Sequence, residues 1–156
     1  MALPRGQPTL QIRYGPASTQ VVDVFTPQGT GPHPVAILVH GGCWSSTTAG
    51  REQLRHLGAE LATRGVATWS IGYRRADDPG GGYPGTYLDI AMAFDRLRDE
   101  APRLGFDLSR SVAIGHSAGG HLALWAAARA GLPSGSPLRV QDPFLPKAVI
   151  SIAGIG

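Results

Sequence analysis

The stretch SVAIGHSAGGHLALWAAA, Ser111 to Ala128, sets the architecture of the chain. Ser111 to Gly115 is an apolar run that reads as a buried strand. A Gly-rich turn follows, Gly115-His116-Ser117-Ala118-Gly119, extended by Gly120. An apolar helix then runs on through Trp125. The G-x-S-x-G pattern has a steric reason. A serine on a tight strand-to-helix turn has a strained backbone and close neighbours, so the flanking positions must lack bulk. The turn lifts the hydroxyl above the sheet edge, at the positive end of the following helix. Alone, so short a pattern arises by chance. The strand before it and the helix after it supply the context it needs.

The rest of the chain repeats the same alternation. Val35–Val39 is a second continuous apolar run and ends at His40-Gly41-Gly42-Cys43-Trp44. Val66–Tyr73 reads as a further strand and Ala148–Ala153 as a last buried strand. Arg51–Arg64 reads as an amphipathic helix with Leu54, Leu57 and Leu61 on one face, and Gly65 stands where a capping glycine would. Tyr87–Ala101 reads as a second helix, with Leu88, Met92 and Leu97 toward the core. Thr9–Tyr14 and Gln20–Phe25 alternate in polarity across a Gly15–Ser18 turn, as an antiparallel hairpin does. Pro27–Pro34, Arg74–Thr86, Pro102–Arg110 and Leu132–Pro146 are connectors rich in turn formers, Gly and Pro above all. The fold class is therefore α/β: a mostly parallel sheet with an N-terminal antiparallel hairpin and helices on both faces, in one domain over residues 1–156. Ligands of such sheets bind outside the carboxyl ends of the strands, where both Gly-rich loops fall.

Composition narrows the function. At 42% apolar and 16% charged, the 156 residues suit a folded domain rather than a disordered one. The net charge is +3, and the basic residues are scattered with no run beyond Arg74-Arg75, so nucleic acid is not an expected partner. The single cysteine, Cys43, excludes an internal disulfide framework and fits a reducing, cytoplasmic compartment. The opening MALPRGQPTL has no apolar signal region, and no run of about 18 apolar residues suggests a membrane span.

The chemistry concentrates in two loops. Acyl transfer builds negative charge on a carbonyl oxygen, and preorganised backbone N–H groups stabilise it. Glycine lets the backbone approach a substrate closely. The N–H groups of Gly42 and Cys43, with that of Ala118 across the cleft, are expected to make an oxyanion hole for a substrate at Ser117, the alternative being a simple strand-end turn.

These residues resemble the N-terminal part of an α/β-hydrolase, in the esterase/lipase branch with the hormone-sensitive-lipase and kynurenine-formamidase-like enzymes. The resemblance rests on H-G-G-x-W at 40–44, Tyr73-Arg74, Tyr83-Pro84 with Asp89, and G-H-S-A-G-G-H at 115–121. It implies Ser117 as nucleophile, oxyanion donors at Gly42, Cys43 and Ala118, and His40, Gly41, Trp44 and His116 around the substrate. It implies no cofactor and no metal. The expected substrate is a small carboxylic ester, or an arylformamide as the second reading. Cys43 replaces the third glycine of many lipases and leans toward the H-G-G-x-W subgroup.

One departure stands out. The family carries its triad in the order Ser, then Asp or Glu, then His. After Ser117 the chain holds 39 residues, with one histidine, His121, and one acid, Asp142. His121 lies one turn down the helix, pointing away from the hydroxyl, and reads as packing or polar support. His33 and His56 read as surface residues. Asp142 comes too early for the acid. The expectation is a truncated hydrolase, inactive or weak as it stands, open to self-association through its last strand; a non-catalytic fragment is the third alternative. Cys43 as nucleophile and a metal at Asp77, Asp78 and Asp89 are the weaker readings. A structural Arg74–Asp89 ion pair, a solvated Asp77-Asp78 loop, and Trp69 and Trp125 in the core are the stronger ones.

Overall fold

A computed structural model describes residues 6–155; the first five residues of the opening segment discussed above lie outside the described residues, as does Gly156. Six strands, β1 (Leu10–Arg13), β2 (Val21–Phe25), β3 (His33–Val39), β4 (Ala67–Ile71), β5 (Phe106–His116) and β6 (Ala148–Ile152), form one sheet in the order β1-β2-β4-β3-β5-β6. β1, β2 and β4 pair antiparallel; β4, β3, β5 and β6 run parallel. The helices are α1 (Arg55–Thr63), entered through a 3-10 turn at Arg51–Leu54, α2 (Gly85–Leu104) and α3 (Ala118–Ala128).

Adjacent residues of β4 show how the layers form. Thr68 Oγ1 donates to the Gly58 carbonyl of α1, and Trp69 Nε1 donates to the Ala93 carbonyl of α2 at 3.1 Å. Successive side chains of a strand point to opposite faces, so α1 covers one face and α2 the other, with α3 beside α2 on β5 and β6. Register carries Ile37, Trp69, Ala113 and Val149 onto the α2–α3 face, where they meet Phe94, Leu97 and Leu122. The opposite face is uncovered at its β6 edge. There Ala148, Ile150 and Ile152 are exposed, so the last strand is not buried as its apolar run suggests, and Val112 and Ile114 are half-buried.

Three readings are corrected. Met92 faces solvent, 42% exposed, and Leu88 is only half-buried; Ile90, Ala93, Phe94 and Leu97 form the inner stripe with Asp89. The helix phase is set by Asp89, which Arg74 and Gln20 hold inside. The Pro102–Arg110 connector does not exist as such: Pro102 belongs to α2, and β5 starts at Phe106. Pairing with β3 jumps from Pro34–Asp107 to Val35–Ser111, so Leu108–Arg110 bulge out of a strand that pattern reading starts at Ser111. His33, expected on the surface, is half-buried in β3, while His56 is exposed.

Candidate active site

Ser117 joins β5 to α3 at φ 53°, ψ −121°, a conformation that a residue with a β-carbon rarely adopts. Such a conformation costs about 1–3 kcal/mol and persists only where neighbours enforce it. The Ser117 N–H donates to the Ile152 carbonyl of β6 at 2.9 Å, and its carbonyl accepts the His121 N–H at 3.2 Å. On the other side, a β-carbon on Gly119 would stand 2.5 Å from the His40 carbonyl oxygen, so only glycine lets α3 approach the end of β3. Ser117 occupies the N-cap of α3, where a serine usually caps the helix. Here its side chain makes no capping bond, and the half-buried hydroxyl stays uncommitted.

The loop after β3 faces this turn. Gly42 has φ +113°, and Cys43 and Trp44 follow at 52° and 53°. The Ser45 N–H closes the turn on the Gly42 carbonyl at 2.9 Å, and the Trp44 carbonyl accepts the Ala76 N–H at 2.8 Å. Among the described residues, the N–H groups of Gly42, Cys43 and Ala118 have no hydrogen-bond acceptor. Three donors and one free hydroxyl thus share the carboxyl end of the central strands.

His40 lies beneath the loop. It is 2% exposed and stacked on Tyr73 at 4.3 Å. Its Nδ1–H donates to the Gly41 carbonyl at 2.8 Å, while the Tyr73 hydroxyl donates to the His40 carbonyl at 2.7 Å. Burial pushes the imidazole pKa down to about 4, so it is neutral at pH 7. Gly41 is buried, Trp44 half-buried, and Cys43 and His116 exposed.

The sequence model of the BD-FAE family matches residues 22–144. The chain belongs to the BD-FAE family. It is 32% identical over 153 residues to esterase LipC of Mycobacterium tuberculosis, covering 92% of this chain and 36% of that protein. It is 27% identical over 121 residues to kynurenine formamidase of Danio rerio, 75% of this chain and 38% of that protein. Esterase B of Lactobacillus rhamnosis, solved with a tributyrin phosphonate inhibitor, superposes with a TM-score of 0.76 at 27% identity, over 94% of this chain and 50% of that one. The fold is that of the α/β-hydrolase esterases. The chain spans just over a third of the curated relatives' length and half of esterase B.

In this BD-FAE chain no described side chain hydrogen-bonds the Ser117 hydroxyl. His121 is engaged elsewhere. A carbonyl only accepts, so Nδ1 carries the proton donated to Ile155 O at 2.8 Å, and Nε2 accepts from the Tyr87 hydroxyl at 2.9 Å. Trp44 meets the His121 ring edge-on at 5.9 Å, and Tyr87 meets Trp125 at 5.0 Å; Trp125 is half-buried rather than fully in the core, unlike Trp69. Asp142 pairs with Arg98 of α2, in a loop that enters β6 at the opposite end of the parallel strands from Ser117. Arg74 grips the buried Asp89 through Nε and Nη2, as a structural pair. Among the described residues no three His, Cys, Asp or Glu side chains cluster as metal ligands, and no helix is long and apolar enough to cross a membrane. Pattern reading missed two sets of contacts near the loop, those of Tyr87 and of Asp77. Tyr87 reaches His121 only through the fold. Asp77 is exposed, as the solvated-loop reading has it, and its carboxylate also bonds Ser45 and Ser46, just beyond Trp44.

Proposed function

We propose that this chain carries the nucleophile and the oxyanion loop of a serine hydrolase acting on small carboxylic esters. One observation carries the reading: a strained serine whose hydroxyl makes no capping bond lies beside the loop after β3, and among the described residues the N–H groups of Gly42, Cys43 and Ala118 have no acceptor. Ser117 Oγ attacks the ester carbonyl carbon, and the hydroxyl proton leaves to a base. The carbonyl π pair moves onto oxygen, where the N–H groups of Gly42, Cys43 and Ala118 stabilise it. Collapse of the tetrahedral intermediate breaks the bond to the alkoxy oxygen, which departs as alcohol after taking a proton. Water then repeats the sequence on the acyl-serine and releases the acid. No step calls for a cofactor. Proton removal is the weak step, because no described residue acts on Ser117 Oγ. The likeness to LipC and to esterase B supports the ester as substrate.

Arylformamide hydrolysis is the second reading. The similarity to a kynurenine formamidase and the aromatic set Trp44, Tyr87 and Trp125 near the loop favour it. The test is prolonged incubation with a fluorophosphonate and mass analysis. Adduct on Ser117, absent from Ser117→Ala, supports the hydrolase; equal labelling of both removes it and leaves the non-catalytic alternative. Competition between p-nitrophenyl acetate and formanilide for the labelled site separates ester from amide.

A further inference from the structure

Two loops meet above the carboxyl ends of β3 and β4, and one carboxylate joins them. Asp77 Oδ1 accepts the Ser46 N–H at 2.8 Å. Its Oδ2 lies 3.0 Å from the same nitrogen and accepts the Ser46 hydroxyl at 3.0 Å and the Ser45 hydroxyl at 3.2 Å. Both oxygens therefore bind the two residues that follow Trp44. On either side the loops are stitched again, by Ala76 N–H to the Trp44 carbonyl at 2.8 Å and by Arg75 Nη1 to the Ala49 carbonyl at 2.7 Å.

The loop needs this restraint. Cys43 and Trp44 are consecutive residues with β-carbons in the left-handed region, and an unrestrained chain leaves it. The Gly42–Ser45 bond closes the turn from within. From outside, the contacts to Trp44, Ser45 and Ser46 hold it, with the Arg75–Ala49 bond further along the loop. The Ser46 N–H holds the Asp77 carboxyl below its usual range, as bonding to the charged form does.

We propose that Asp77 is a positioning residue: its carboxylate holds the Cys43–Trp44 turn, and through it the direction of the Gly42 and Cys43 N–H groups. The proposal rests on reading those groups as oxyanion donors. Asp77 itself touches neither Ser117 nor a substrate.

The test compares Asp77→Ala, Asp77→Asn and, as control, Asp107→Ala in the full chain. Asp107 makes the same kind of contacts, to the Ser109 N–H and hydroxyl, at the far end of the sheet. Hydrogen exchange by NMR is read at the Ser45 and Ala76 amides, which Asp77 does not bind. In Asp77→Ala their protection should fall at least about tenfold, with Asp77→Asn between and Asp107→Ala unchanged. Phosphonylation of Ser117 should slow on the order of 10²-fold, with partial recovery in Asp77→Asn. Wild-type protection at both amides in Asp77→Ala overturns the proposal, and so does an unchanged phosphonylation rate. If wild type itself takes no adduct at Ser117, the hydrolase reading fails, and the two amides still decide the role of Asp77 in the turn. Should Asp77→Ala not fold, Asp77→Asn decides by the same amides.

Discussion

Gly41 and Ser117 touch: a β-carbon on Gly41 would stand 3.2 Å from that of Ser117 and 2.6 Å from the carbonyl oxygen of His116. The loop after β3 and the turn at Ser117 are thus packed closely against each other. Neither yields as a side-chain tip would. Gly41→Ala should lower stability by about 1–3 kcal/mol, the usual result of overpacking, and slow Ser117 phosphonylation. A urea midpoint and a labelling rate equal to wild type would refute this contact.

Gly42 has φ +113°, and a β-carbon there would meet the Ala49 β-carbon at 2.5 Å. Gly42→Val should therefore turn its N–H away from the substrate. Loss of one oxyanion donor raises a barrier by about 2.7–4 kcal/mol. Ser117 phosphonylation should slow by the corresponding factor while circular dichroism stays native. An unchanged rate removes Gly42 from the donor set.

His40 gives the acid limb of stability a defined origin. Burial lowers its pKa from 6.5 to about 4. The unfolded chain then binds a proton that the fold refuses, so stability is full above about pH 6.5 and declines as pH falls toward 4. At about 1.4 kcal/mol per pKa unit, the loss amounts to about 3 kcal/mol. His40→Phe keeps a ring on Tyr73 and cannot be protonated. Its stability should be flatter between pH 6.5 and 4 than that of wild type; parallel curves would assign the decline elsewhere.

Asp89 is fully buried and Arg74 is 22% exposed. Removing the carboxylate in Asp89→Ala strands Arg74 and the Gln20 amide, and should destabilise by about 3–5 kcal/mol. A change below about 1 kcal/mol would mean that the pair is solvated.

Much of this was legible from pattern alone. The apolar run at Val35–Val39 named β3, because burial on both faces leaves no room for polar residues, and the run at Ser111–Gly115 named the second half of β5, where only one face is fully covered. The turn at Ser117 was legible because its glycines answer local crowding. Features set by distant partners were not. The phase of α2 follows Asp89, whose burial depends on Arg74 and Gln20. Tyr87 and His121 meet only once α2 and α3 pack. Asp77 lies in a segment that reads as solvated loop, and its bonds to Ser45 and Ser46 form only when the loop after β3 comes to lie beside it.

The outer strand should govern behaviour in solution. β6 pairs only with β5, carries no charged residue, and exposes Ile150 at 49% and Ile152 at 51%. An uncharged open edge invites pairing with another chain. The 156-residue chain should self-associate in sedimentation, and Ile150→Lys with Ile152→Lys should return it to monomer. With no described side chain bonded to the Ser117 hydroxyl, it should hydrolyse p-nitrophenyl acetate hardly faster than Ser117→Ala. A monomeric wild type with brisk, serine-dependent turnover would contradict both expectations.

The bond from the Ser117 N–H to the Ile152 carbonyl has a temporal meaning. On the ribosome the serine emerges well before the strand that completes its turn. Until Ile152 arrives, that amide lacks its partner and the strained backbone lacks one of its restraints. The strained conformation at Ser117 is therefore fixed late, after the chain has been made as far as residue 152.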